Sequence, residues 1–154
     1  MIALAELIER FGPEVLQHYG ERLLPSHRQA LAAIKAAVQK VVFAPDDSQL
    51  AIGETTQITL WQLSDASLQF TLNTGPRAPA DVLIYSPDSQ FLVNGGSIPT
   101  LTVWDTQTGK LVNTLPGAGG DSNAVVFSQA GDLLVTSVLG GNVSLWDVST
   151  MRDE

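Results

Sequence analysis

The stretch Leu101-Thr102-Val103-Trp104-Asp105 decides how this chain is read, because it recurs on either side as Ile58-Thr59-Leu60-Trp61 and Val143-Ser144-Leu145-Trp146-Asp147. The three tryptophans stand 43 and 42 residues apart, and each closes a run that alternates apolar and hydroxyl side chains, as a half-buried strand does. A second marker keeps step with the first: Phe43, Tyr85 and Phe127 lie 42 apart, and stand 18, 19 and 19 residues before the tryptophans. Two positions repeating in phase make this an internal repeat.

Each repeat contains strand signals in the same order. A first apolar run (Val41-Val42-Phe43, Leu83-Ile84-Tyr85, Val125-Val126-Phe127) meets a polar turn such as Pro45-Asp46-Asp47-Ser48. A second run (Leu50-Ala51-Ile52, Phe91-Leu92-Val93, Leu133-Leu134-Val135) leads to the tryptophan strand, and Leu68–Leu72 or Leu111–Leu115 supplies a fourth. Four strands in roughly 40–45 residues is the signature of a propeller blade. The spacing predicts blades over about 38–73, 80–116 and 122–148, the last without its outer strand, within a β region spanning 38–154. A propeller needs at least four blades, so three leave the ring unclosed and each open end should expose apolar sheet.

Ahead of the blades, residues 1–37 follow a helical period. Leu4, Leu7, Ile8 and Phe11 share one face before Gly12-Pro13 breaks the run, and Val15, Leu16 and Tyr19 mark a second short helix. Ser26 and Gln29 have capping-box spacing, which starts a third helix near His27. The expected fold class is therefore mainly β: three propeller blades of antiparallel four-stranded sheets, incomplete as a ring, preceded by a short α-helical segment.

Charge separates the two regions. Residues 1–40 hold five Lys/Arg against four Asp/Glu, whereas residues 41–154 hold three against twelve. An acidic repeat region disfavours phosphate backbones and anionic membranes, both of which need a cationic face. With no cysteine there is no disulfide, thiolate metal site or cysteine nucleophile. Glu6 and Glu9 interrupt the apolar start and no apolar run approaches membrane-spanning length, so the expected location is cytoplasmic. His18 and His27, nine apart, are not at helical ligand spacing, and no histidine lies in the repeats to complete a Ser-His-Asp arrangement. No catalytic residue, metal site or cofactor is expected.

The runs Phe43-Ala44-Pro45-Asp46, Tyr85-Ser86-Pro87-Asp88, Val103-Trp104-Asp105 and Leu145-Trp146-Asp147 resemble the WD-repeat family over about 38–148. That resemblance implies β-propeller blades that act as platforms for protein assembly, usually without catalysis. The chain departs from the family pattern in two places. The Gly-His pair is replaced by Gly75-Pro76 and Gly117-Ala118, and the aspartate six residues before Trp by Thr55, Ile98 and Gly140. The family's hydrogen-bond chain from Trp through Ser/Thr and His to Asp cannot form in that way, so the blades are expected to rely on apolar packing. Residues 1–34, through Phe11-Gly12-Pro13-Glu14 and Leu23-Leu24-Pro25-Ser26-His27-Arg28, resemble the N-terminus of insertion-sequence transposases with a zinc-binding domain. The zinc cysteines of that family are replaced here by Ala36, Ala37 and blade sequence, and the abrupt junction reads as a possible gene fusion.

The functional expectation is a non-catalytic protein-protein interaction module or a fragment of a WD-repeat scaffold, with a protein or peptide partner and self-association. The alternative is a transposase-derived, nucleic-acid-associated remnant acting through residues 1–37. Trp61, Trp104, Trp146, Phe43, Tyr85 and Phe127 are structural repeat positions; Arg77, Ser97, Asp121 and Asn142 lie in loops that are candidates for partner binding. Asp105 and Asp147 read as turn acids.

Overall fold

A computed structural model describes residues 38–65, 67–75, 81–95, 100–116, 122–138 and 142–151. The helices expected over 1–37 lie outside the described residues. The alternating runs form three antiparallel meanders. The first sheet contains β1 (Val38–Phe43), β2 (Gln49–Glu54), β3 (Gln57–Gln62) and β4 (Ser67–Asn73), paired in that order. The second contains β5 (Val82–Tyr85), β6 (Phe91–Gly95), β7 (Thr100–Asp105) and β8 (Leu111–Pro116). In the third, β9 (Ser122–Phe127), β10 (Leu133–Val138) and β11 (Val143–Asp147) pair in order, and a 3₁₀ turn, Ser149–Met151, follows.

The first turn of each sheet repeats in atomic detail. The N–H groups of Asp47, Ser89 and Gly131 donate to the carbonyls of Ala44, Ser86 and Ser128, each at 2.9 Å. The same three residues, spaced 42 apart, carry left-handed φ angles of 57°, 62° and 73°. Hydroxyl and carboxylate groups hold these turns. Ser86 Oγ donates to Asp88 and accepts the Phe91 N–H, and Ser128 Oγ makes the equivalent pair with Asp132 and the Leu133 N–H. In the first sheet Asp46 takes that part, accepting both the N–H and the hydroxyl of Ser48; the Ser48 hydroxyl bond is the main reason its carboxyl titrates below the ordinary aspartate range.

Because strand residues alternate between faces, each sheet has a front, bearing its tryptophan, and a back. Cross-strand partners place Tyr85, Leu92 and Trp104 on the front of the second sheet. These pack with Leu83 against Val42, Ala51, Ile58, Leu60, Phe70 and Leu72, the back of the first sheet, in one buried cluster. The back of the second sheet (Phe91, Val93, Leu101, Val103, Leu115) meets Val125, Phe127, Leu134 and Trp146, the front of the third, and Val148 completes that cluster. The sheets therefore stack front to back, which is propeller packing.

Polar contacts tie the first two sheets further. Lys40 Nζ donates to the Asp81 carbonyl at 2.9 Å, the Asp46 N–H to Ser89 Oγ at 3.2 Å, and the buried Gln49 Nε2 to the Thr106 carbonyl at 3.1 Å. The expectation of purely apolar blades needs a correction, because the indoles are hydrogen-bonded. Trp61 Nε1 donates to Thr59 Oγ1 and Trp104 Nε1 to Thr102 Oγ1, both at 3.0 Å, and the Thr102 hydroxyl passes on to the Asn94 carbonyl at 3.3 Å. Trp146 instead reaches across to Thr136 on β10 at 3.1 Å. The relay is shortened to its first links, which threonine supplies without histidine.

Three outcomes follow from this packing. Trp104 is buried between two sheets and Trp146 only half-buried, so Trp104→Ala should cost about 3–5 kcal/mol and Trp146→Ala less, read from denaturant midpoints. Gly109 has φ +67°, and a Cβ there would lie 2.6 Å from the Phe70 ring of the neighbouring blade. Gly109→Ala should therefore destabilise by about 1–3 kcal/mol, part of which Phe70→Ala in the same chain should remove. The Tyr85 hydroxyl is buried without a hydrogen-bond partner, and burial, helped by the Asp46 charge, raises its pKa above the ordinary tyrosine range. The unfolded chain ionises this phenol first, so its contribution is intact below about pH 10 and is lost as pH climbs beyond. Tyr85→Phe should leave neutral-pH stability unchanged or higher and flatten that alkaline loss in melts taken across pH 8–12.

Candidate interaction surface

The repeat register shows which face of the third sheet lacks cover. Ile84, Phe91, Val93, Leu101 and Val103 on the back of the second sheet correspond, 42 residues on, to Val126, Leu133, Val135, Val143 and Leu145. The former set belongs to, or packs against, the buried cluster between the second and third sheets. In the latter, Val126 is 53%, Leu133 36%, Val143 62% and Leu145 66% exposed. Pairing of Val126 with Val135 and of Val135 with Leu145 puts these residues on one face across three strands. Contiguous exposed apolar surface of this kind marks an interaction site or an association liability.

The edge of the same sheet is also open. β3 and β7 each carry an outer strand, β4 or β8, whereas β11 pairs only with β10 among the described residues. An unpaired edge presents backbone donors and acceptors as a template for another strand. At the opposite end of the stack the expectation of a second exposed face is corrected: Leu50 and Ile52 are fully buried and Trp61 is 4% exposed. The apolar exposure is thus concentrated at the third sheet.

Of the loop residues singled out from sequence, Arg77, Ser97 and Asp121 lie outside the described residues. Asn142 is exposed in the β10–β11 connection, where its carbonyl accepts the Val138 N–H at 3.1 Å. Tyr85 and the tryptophans take interior or half-buried positions, as do Phe43 and Phe127. Asp105 and Asp147 cap turns: Asp105 accepts the N–H groups of Gln107 and Thr108 at 2.9 and 2.7 Å, and Asp147 the Ser149 N–H at 2.9 Å. Val126, Leu133, Val143 and Leu145 were not singled out individually, although their register with the buried set of the second blade carried the signal.

Charge around this surface has one sign. Among the described residues of the third sheet and its 3₁₀ turn, Asp132 and Asp147 are the ionised groups, while the described cations, Lys40 and Lys110, lie in the first two sheets. A cavity of about 300 Å³ opens where the β7–β8 turn meets the 3₁₀ turn, lined by Gln90, Phe91, Asp105, Thr108, Lys110 and Met151 among others. Its carboxylate, that of Asp105, is engaged by the turn, accepting the N–H groups of Gln107 and Thr108 and, at 2.9 Å, the Thr108 hydroxyl. Among the described residues no group of three or more His, Cys, Asp or Glu could hold a metal ion, and no helix is long and apolar enough to cross a membrane.

Comparison with known proteins agrees with this architecture. Residues 109–147 match the family described as WD domain, G-beta repeat. The chain is 31% identical over 131 residues to nuclear distribution protein nudF of Aspergillus flavus, covering 82% of this chain and 29% of that protein. It is 28% identical over 125 residues to sterol regulatory element-binding protein cleavage-activating protein of Xenopus laevis, covering 81% of this chain and 9% of that protein. The chain thus spans under a third of the length of either relative. The solved structure of U3-55K superposes with a TM-score of 0.66 at 17% identity, over 75% of this chain and 37% of that one, a likeness of fold. Residues 109–147 thus carry the WD-repeat match, and the β-sheet region as a whole is similar in sequence to these relatives and in fold to the solved structure.

Proposed function

We propose that this chain works as a non-catalytic protein-interaction scaffold, or as the part of one that its three blades represent, and that the back of the third blade is its principal contact surface. The observation that carries this reading is the exposure of Val126, Leu133, Val143 and Leu145 at positions whose counterparts are buried one blade earlier. The apolar atoms there lose water by meeting further polypeptide, and WD40 relatives serve as protein-interaction scaffolds. Loop residues Arg77, Ser97, Asp121 and Asn142 would add polar contacts at the blade junctions. The same proposal divides the chain into a helical segment over 1–37 and blades over 38–154, and places it in the cytoplasm. The transposase-derived alternative rests on residues 1–37, which lie outside the described residues.

When no partner is present, two copies of the chain meet through this face and self-associate. Burial of apolar surface drives that contact, so it should persist or strengthen in high salt, unlike a charge-driven one. Sedimentation of the intact chain over a concentration series should show reversible association. Leu145→Lys, at an exposed position that should leave the circular dichroism spectrum unchanged, should shift the chain to monomer. If the substituted chain associates as strongly as the parent, the third blade is not the contact surface.

A further inference from the structure

The front of the second blade holds two neighbouring residues with a chemistry of their own. Of the five asparagines in the chain only Asn94 is followed by glycine, so the next main-chain nitrogen is approached past no side chain. Packing imposes that glycine: a Cβ at Gly95 would run into Leu101 Cδ2 and lie 3.3 Å from the Thr100 carbonyl oxygen. Asn94 itself is 2% exposed, and its Oδ1 has no hydrogen-bond partner. The second blade is packed on both faces, by the first and by the third, so this site depends on neither end of the chain.

We infer that Asn94-Gly95 is a deamidation site that the fold keeps shut, intact while β6 is paired and converted to aspartate and isoaspartate once the second blade opens. This goes beyond the scaffold reading and stands without it. In the reaction the Gly95 nitrogen loses its proton to base and attacks Asn94 Cγ. The new N–C bond closes a succinimide ring, and the side-chain nitrogen leaves as ammonia with a proton from water. Water then opens either imide carbonyl, which restores the main chain with an aspartate side chain or reroutes it through the side-chain carboxyl as isoaspartate. The net change consumes one water and releases one ammonia, with no oxidant or reductant.

Ring closure needs Cβ of residue 94 and the nitrogen of residue 95 on the same side of the Cα–C bond. A strand residue, with ψ of about +135°, holds them apart. Asn94 is fixed in that state from both sides, paired with Leu83 on β5 and with Thr102 on β7, whose hydroxyl donates to the Asn94 carbonyl at 3.3 Å. Gly95 pairs with Val82. The rotation that starts the reaction therefore requires β6 to open, and burial denies the packed site its water.

The product does not fit back. Position 94 aligns with Ile52 and Thr136, 42 residues away on either side, and all three are buried, so the repeat provides a place for an uncharged group. A carboxylate there leaves water, and Oδ1 finds no donor even in the amide form. Isoaspartate lengthens the main chain and shifts β6 against both neighbouring strands. Opening of the second blade, if it lasts long enough to react, thus becomes irreversible.

The test incubates the intact chain at mildly alkaline pH, in native buffer and in concentrated urea. Peptide mapping by mass spectrometry then reads the exchange of amide for acid, and enzymatic methylation reads isoaspartate. In urea Asn94 should convert ahead of Asn73, Asn113, Asn123 and Asn142, and in native buffer at least tenfold more slowly. Trp104→Ala, which loosens the same front, should raise the native rate several-fold and leave the rate in urea unchanged. Asn94→Thr, the residue at the matching position of the third blade, should refold as well after long incubation in urea as after short. The parent's refolded fraction should instead fall in step with conversion at Asn94. Equal rates in native buffer and urea, no preference for Asn94 in urea, or full refolding of the converted parent overturns the inference.

Discussion

The contact on which the molecule depends is the stacking of one sheet's tryptophan face on the apolar back of the sheet before it. Trp104, Tyr85 and Leu92 lie on Ile58, Leu60 and Leu72, and Trp146, Phe127 and Leu134 lie on Val103, Val93 and Phe91. A single four-stranded meander buries one face at most and is marginal alone. Stacking gives each sheet a second buried face and converts marginal sheets into a core. It is directional, since fronts meet backs, and so an unclosed stack always leaves one back unmatched.

Smaller interactions set the precision of that stack. The left-handed residues Asp47, Ser89 and Gly131 tighten the first turn of every blade, and serine or threonine hydroxyls with aspartate carboxylates satisfy backbone groups that the turns would otherwise strand. Gln49, Lys40 and Ser89 then join the first two blades through polar contacts. Gly109 lets the second blade's last turn lie against Phe70 of the first. The tryptophans also retain hydrogen-bonded indoles, because a threonine two residues back or across the strand pair is close enough to accept, even where histidine and aspartate are missing from the longer relay. A buried donor needs one acceptor, and any hydroxyl in reach serves.

Function on such a scaffold resides in what the stack leaves open. Among the described residues the third blade presents an apolar back beside an edge strand paired on one side, with acidic residues nearby and no cation. Adjacent blades fill the equivalent space from within the chain, by a leucine-bearing outer strand and by the front of the next blade.

The sequence by itself determined the repeat, the strand order and which residues alternate between faces, because a period near 42 and a period of two are local properties written in Phe43, Tyr85, Phe127 and the three tryptophans. It also marked Asp105 and Asp147 as turn acids, since their spacing to nearby amide groups is fixed within a few residues. Tertiary structure decided which faces are covered. Val103 and Leu145 are equivalent in sequence and strand position, yet Val103 is fully buried and Leu145 is 66% exposed. Their difference arises from the neighbouring sheet, a long-range fact that no local pattern holds. The same reason explains why both ends of the stack were expected to be open, whereas Leu50, Ile52 and Trp61 are buried. Alternation tells which side of a strand is apolar, and only the packed structure tells what lies against it.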